Sequence, residues 1–81
     1  MIVIYSKDNC IQCNQAERLL KFKSKEYQVL KLDKDYTRED ITLMYEKANK
    51  VQPRAFPIVT NGDIIIGDLN ALKIAIVKGE L

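Results

Sequence analysis

The chain of 81 residues carries 13 lysines and arginines against 11 aspartates and glutamates, a net charge of +2, with two cysteines and no histidine. That length allows one domain over residues 1–81 with a modest core, and the charge balance argues against a nucleic-acid-binding surface. No apolar run approaches the ~20 residues of a membrane-spanning helix and no basic segment precedes a long apolar stretch, so neither a membrane span nor a signal peptide is expected.

Met1 to Tyr5 is an apolar run rich in β-branched residues, which predicts a central strand buried on both faces. The polar stretch Ser6-Lys7-Asp8-Asn9 ends it. Cys13, Ala16, Leu19 and Leu20 then recur at helical spacing. Lys21, Lys23 and Lys25 gather where cations complement the helix dipole, predicting a helix from about Gln12 to about Lys23. Tyr27 to Leu32 alternates as a second strand, and its connection through a helix makes it parallel to the first. Thr37-Arg38-Glu39-Asp40 sets a capping residue three positions before an acid, and Ile41, Met44, Tyr45 and Ala48 continue at helical spacing. A second helix is expected from about Arg38 to Lys50.

Pro53 and Pro57 end that helix. Pro57 heads Ile58-Val59-Thr60, Asn61-Gly62 reads as a turn, and Ile64-Ile65-Ile66 completes an antiparallel hairpin. Gly67-Asp68 opens a last helix, Leu69 to Val77, in which Leu69, Leu72, Ala75 and Ile76 share a face while Ile74 and Val77 blur it. The order is β-α-β-α-β-β-α, an α/β arrangement with a four-stranded mixed sheet flanked by helices.

Cys10-Ile11-Gln12-Cys13 lies at the first strand-to-helix junction, where a C-x-x-C pair lets one thiol attack a disulfide while the second waits one turn on. A reducing compartment and a loop this short both argue against a structural bridge, and a cytoplasmic location is expected. Cys10 precedes the helix, where unpaired amides, the dipole and nearby Lys7 favour a thiolate below the free value of about 8.5. Cys10 is therefore the expected nucleophile. Cys13 points toward the apolar face, where burial favours the thiol, and is the expected resolving partner. With no histidine and no second C-x-x-C, a single chain offers too few soft ligands for a metal site. Tyr27, Tyr36 and Tyr45 are assigned packing or surface roles, and Tyr5 is the only tyrosine placed near the motif.

This order, with C-x-x-C behind the first strand, a proline heading the third strand and a glycine-plus-acid turn before the last helix, resembles the glutaredoxin branch of the thioredoxin fold over essentially the whole chain. The family's C-P-Y-C is replaced by Cys10-Ile11-Gln12-Cys13, which looks like the C-V-Q-C of NrdH-redoxins, although their tryptophan-containing turn is missing. Arg54-Ala55-Phe56-Pro57 is similar to the R-T-V-P of glutaredoxins, in which the proline is cis and the residue before it offers its backbone to the substrate; Phe56 replaces valine. Ile66-Gly67-Asp68-Leu69-Asn70 resembles the glycine-glycine turn and following acid that hold the γ-glutamyl end of glutathione, with Asp68 in place of the second glycine and Asn70 in place of the acid.

The resemblance implies a dithiol-disulfide oxidoreductase, an electron carrier with no bound cofactor, acting as a monomer and serving ribonucleotide reductase in deoxyribonucleotide synthesis. Lys7, Gln12, Arg54, Phe56, Pro57 in the cis form, Gly67 and Asp68 are the implied substrate- or glutathione-binding residues. The tetrapeptide leans toward thioredoxin reductase as electron source. The turn before the last helix leans toward glutathione as reducing co-substrate, and that branch is preferred. The rival from another class is a non-catalytic thioredoxin-fold binding module or a metal or cluster carrier.

Overall fold

Two apolar faces organise the chain, and a computed structural model describes all of residues 1–81. The elements are β1 (Ile2–Ser6), α1 (Ile11–Phe22), β2 (Tyr27–Lys31), α2 (Arg38–Lys47), β3 (Ile58–Asn61), β4 (Ile64–Gly67) and α3 (Leu69–Val77). The strands form one mixed sheet in the order β2-β1-β3-β4. β1 pairs in parallel with β2, aligning Ile4 with Val29, and antiparallel with β3, aligning Tyr5 with Ile58. β3 and β4 form the antiparallel hairpin. This is the glutaredoxin arrangement of the thioredoxin-like fold.

Because side chains alternate across a strand, β1 feeds two separate cores. Ile2 and Ile4 pack with Val59 against Ala16 and Leu20 of α1 and Leu69 and Leu72 of α3. Tyr5 and Leu30 pack with Ile58 and Ile65 in the cluster that contains Ile41 and Tyr45 of α2. The first strand is thus fully closed on only one side: Ile2, Ile4 and Ser6 are buried, whereas Val3 and Tyr5 are half-buried. The expectation of burial on both faces is corrected by the second cluster, where α2 alone leaves part of the sheet open.

Local chemistry sets the boundaries. Thr37 caps α2 by accepting from the Asp40 N–H, while the Asp40 carboxylate accepts from the Thr37 N–H at 2.8 Å, a reciprocal capping box. That helix stops at Lys47, three residues short of the expected end, because Asn49 takes a left-handed φ of +57° and turns the chain back. The hairpin turn lies one residue later than the sequence implied. Asn61 belongs to β3, opposite Ile2 and Ile64, and Gly62-Asp63 forms the two-residue connection, with Gly62 at φ +61°. No helix is long and apolar enough to cross a membrane.

Candidate functional site

One end of the sheet gathers the chemistry, because β1 runs toward it while β3 starts from it. After Ser6 the chain turns through Asn9, at φ +55°, and reaches Cys10 in extended geometry (φ −117°, ψ 104°) as the N-cap of α1. The Cys10 Sγ accepts from the Cys13 N–H at 3.1 Å. A disulfide joins Cys10 to Cys13, with the two Cα atoms 5.3 Å apart. The two cysteines differ in exposure: Cys10 as a residue retains 9% and Cys13 none. Ile11 and Gln12, the residues between them, are exposed. A helix N-terminus presents unpaired N–H groups to whatever occupies its cap, so negative charge developing on the Cys10 sulfur meets partial positive charge there.

Phe56 enters from the segment before β3. The Phe56–Pro57 peptide bond is cis, and both residues are buried. The Phe56 ring belongs to the same core cluster as Cys10 and Cys13. Two cations rest on it: the Lys7 Nζ and the Arg38 Cζ each lie 5.5 Å from the ring centroid, within cation–π range. Lys7 and Phe56, both singled out in the sequence, are therefore brought together. Arg54 is exposed in the bend preceding Phe56, and the second cation on the ring is Arg38, which the sequence reading left unassigned. Its signal was present but faint: a cation in the first position of a helix opposes the macrodipole, so Arg38 sits where helix stability alone disfavours it.

Tyr36 is the other residue that sequence reasoning missed. It lies 30 positions from Ser6, yet its hydroxyl donates to the Ser6 carbonyl at 2.7 Å, and its ring meets Tyr5 edge-on with centroids 5.1 Å apart. Burial pushes its pKa up to about 12; Arg38 opposes that rise, and Asp33 and Tyr5 add to it. The hydroxyl therefore stays protonated and keeps donating through the whole neutral range. Tyr36 and Tyr45 are both buried, which selects packing from the packing or surface roles expected of them.

The turn before α3 completes this end of the molecule. Gly67 pairs with Val59 at φ +125°, and a Cβ there would approach the Ala71 Cβ to 3.0 Å, so glycine is required on two counts. Asp68 is the N-cap of α3, its Oδ1 accepting from the Ala71 N–H at 2.9 Å. One oxygen of this carboxylate is thereby committed to the helix. Its charge adds to burial in raising the Tyr45 pKa, while Asp68 itself is exposed. Asn70, in the first turn of α3, is exposed.

The family model described as glutaredoxin matches residues 2–65 of the chain. No curated protein sequence matches it significantly. Among solved structures, glutaredoxin 1 from Francisella tularensis complexed with cacodylate superposes with a TM-score of 0.74 at 19% identity, over 98% of this chain and 94% of that one. The buckwheat glutaredoxin–glutathione complex gives 0.76 at 23% identity, over 99% of this chain and 71% of that one. A dithiolic glutaredoxin from Trypanosoma brucei brucei gives 0.76 at 23% identity, over 99% and 80%. At these identities the structural likeness speaks to the fold.

Proposed function

The chain belongs to the glutaredoxin family, and from that premise we propose that Cys10 and Cys13 carry its thiol–disulfide oxidoreductase activity with glutathione as the reducing co-substrate. The position of Cys10 as the N-cap of α1, with Cys13 fully buried one turn on, carries the assignment of the two cysteines. In the reduced protein the Cys10 thiolate attacks one sulfur of a substrate disulfide. A Cys10–substrate mixed disulfide forms and the other substrate sulfur departs as a thiolate that takes up a proton. Two routes then close the cycle. Cys13, as thiolate, attacks the Cys10 sulfur, expels the second substrate thiol and leaves the Cys10–Cys13 disulfide; alternatively, when the mixed disulfide is with glutathione, a glutathione thiolate attacks the glutathione sulfur, forms oxidised glutathione and frees Cys10. Two further glutathione molecules reduce an internal disulfide by the same exchanges.

The buckwheat relative was solved with glutathione, and the proposed contacts in this chain are the Lys7 and Arg54 cations for carboxylates, the Phe56 backbone beside Pro57 for an extended peptide, the exposed Gln12, and Gly67-Asp68 at the N-terminus of α3 for the γ-glutamyl end. Ribonucleotide reductase is the proposed client, on the strength of the similarity of Cys10-Ile11-Gln12-Cys13 to the NrdH-redoxin motif. The test is coupled turnover with NADPH and either glutathione plus glutathione reductase or thioredoxin reductase alone. Saturable dependence on glutathione is the expected result. Efficient reduction by thioredoxin reductase alone, with no effect of glutathione, overturns the choice of reductant and leaves the dithiol mechanism standing.

A further inference from the structure

Ile74 and Val77 interrupt the single apolar face of α3, and the fold leaves both without a partner. The helix buries Leu69, Leu72 and Ala75, yet Ile74 is 54% and Val77 87% exposed. A helix that is apolar on several sides calls for a cover where its own domain supplies none. The groove between α1 and α3 beside Val77 is lined by Leu19, Lys23, Lys73 and Ile76. A neighbouring hollow on α3 shares Lys73 and Val77 and adds Ile74 and Lys78. The Lys23 Nζ also lies 5.6 Å from the ring centroid of Phe22, itself 80% exposed, so the patch continues to the end of α1. No acid lines either hollow.

We propose that this pole, Phe22 and Val77 flanked by Lys23, Lys73 and Lys78, seats the protein on the surface of an anionic lipid bilayer. Charge selects the occupant. A second copy laid on the same face would set lysines against lysines, whereas the phosphates of acidic headgroups would meet them with opposite charge. Shape selects it further, because Phe22 and Val77 are the last residues of their helices and project into solvent. A fluid interface accepts two separate apolar projections, while a protein would need a matching hollow for each. The lysine stems can lie along the apolar side chains as their ammonium groups reach the headgroups. The net charge of +2 is a balance over the whole chain and does not describe this pole. Cys10 caps the opposite end of α1, about 18 Å from Phe22 along the helix axis. A seated molecule therefore keeps its cysteines toward water, whatever disulfide they exchange with.

The purified protein is sedimented with vesicles of phosphatidylcholine alone and with vesicles in which about 30% of the lipid is phosphatidylglycerol. It should pellet with the anionic vesicles, pellet little with the neutral ones, and be released as salt is raised. Lys73→Gln and Lys78→Gln should each weaken binding about fivefold. Phe22→Ser and Val77→Ser should each weaken it about tenfold with no change in net charge. Lys47→Gln, on α2, removes the same charge from another face and should weaken it far less. All five side chains are exposed, so urea midpoints should stay at that of the unmodified protein. Equal pelleting with both vesicles, equal losses in Lys47→Gln and Lys73→Gln, or no loss in both serine variants overturns the lipid seat. So does a dimer that depends on Val77 in sedimentation velocity without vesicle binding, which would give the face to a second copy. Binding is read without reference to redox turnover. Alkylation of reduced Cys10 by iodoacetamide should proceed as fast on vesicles as in solution, and its suppression there would overturn the orientation.

Discussion

The Tyr36 hydroxyl and the Ser6 carbonyl, 30 residues apart, are joined at 2.7 Å in a buried hydrogen bond. Ser6 is the last residue of β1 and the loop to Cys10 begins immediately after it. The bond thus fixes the point from which the redox loop departs, tying β1 to the segment that leads into α2. Replacing Tyr36 with Phe retains the edge-on contact with Tyr5 and removes only the donor. The Ser6 carbonyl also accepts from the Leu32 N–H at 2.9 Å, so it is not orphaned and the loss should stay near 1 kcal/mol. Urea unfolding of Tyr36→Phe against the unmodified protein measures it. A change above about 3 kcal/mol would mean that the ring has repacked as well.

The same tyrosine sets a limit at alkaline pH. Its ordinary pKa of 10.0 rises to about 12 in the fold, chiefly through burial, and burial moves Tyr45 in the same direction. A phenol is neutral when protonated, so the unfolded chain gives up this proton first. The contribution is intact below pH 10 and is lost as pH climbs from 10 toward 12. Urea midpoints at pH 9, 10.5 and 11.5 should fall, and fall less steeply in Tyr36→Phe. Parallel slopes in the two proteins would assign the alkaline loss to other groups.

How much of this was legible depended on how local the cause was. The order of elements follows from periodicity, and the start of α2 from Thr37 and Asp40, which find each other within one turn. The end of α2 was less visible because Pro53, which the sequence offers as its stop, lies beyond the actual end at Lys47, and a left-handed Asn49 turns the chain first. The hairpin was shifted because Asn61-Gly62 reads as a turn in isolation, while pairing of Asn61 with Ile2 of β1 draws it into the strand. Cys10 and Cys13 were plain from spacing and context. The Tyr36–Ser6 bond and the seat of Arg38 on Phe56 have no counterpart in any short pattern, since their partners meet only when α2 folds over the sheet.

Exchange chemistry should separate the two cysteines in kind. Cys10→Ser should abolish turnover, since a hydroxyl is not ionised at neutral pH, whereas Cys13→Ser should still form a stable mixed disulfide at Cys10. The exposure difference, 9% against none, predicts the same order in alkylation. Iodoacetamide at pH 6 applied to the reduced protein, followed by peptide mass mapping, should label Cys10 first. Faster labelling of Cys13 would reverse the two roles.

Asp68 has two duties that one substitution can separate. Its Oδ1 caps α3 through the Ala71 N–H at 2.9 Å, and its charge is proposed to meet the amino group at the γ-glutamyl end of glutathione. Asparagine caps a helix about as well as aspartate but carries no charge, whereas alanine does neither. Asp68→Ala should therefore cost about 1 kcal/mol of stability, within a range of about 0.5 to 2. Asp68→Asn should unfold close to the unmodified protein yet show a KM for glutathione raised about threefold, the effect of losing one exposed ion pair. The proposed contact predicts the KM increase in both variants and the stability loss in one. Were Asp68→Asn to match the unmodified protein in both measurements, Asp68 would be a helix cap alone, and the γ-glutamyl end would have to be held by the remaining free N–H groups at the start of α3.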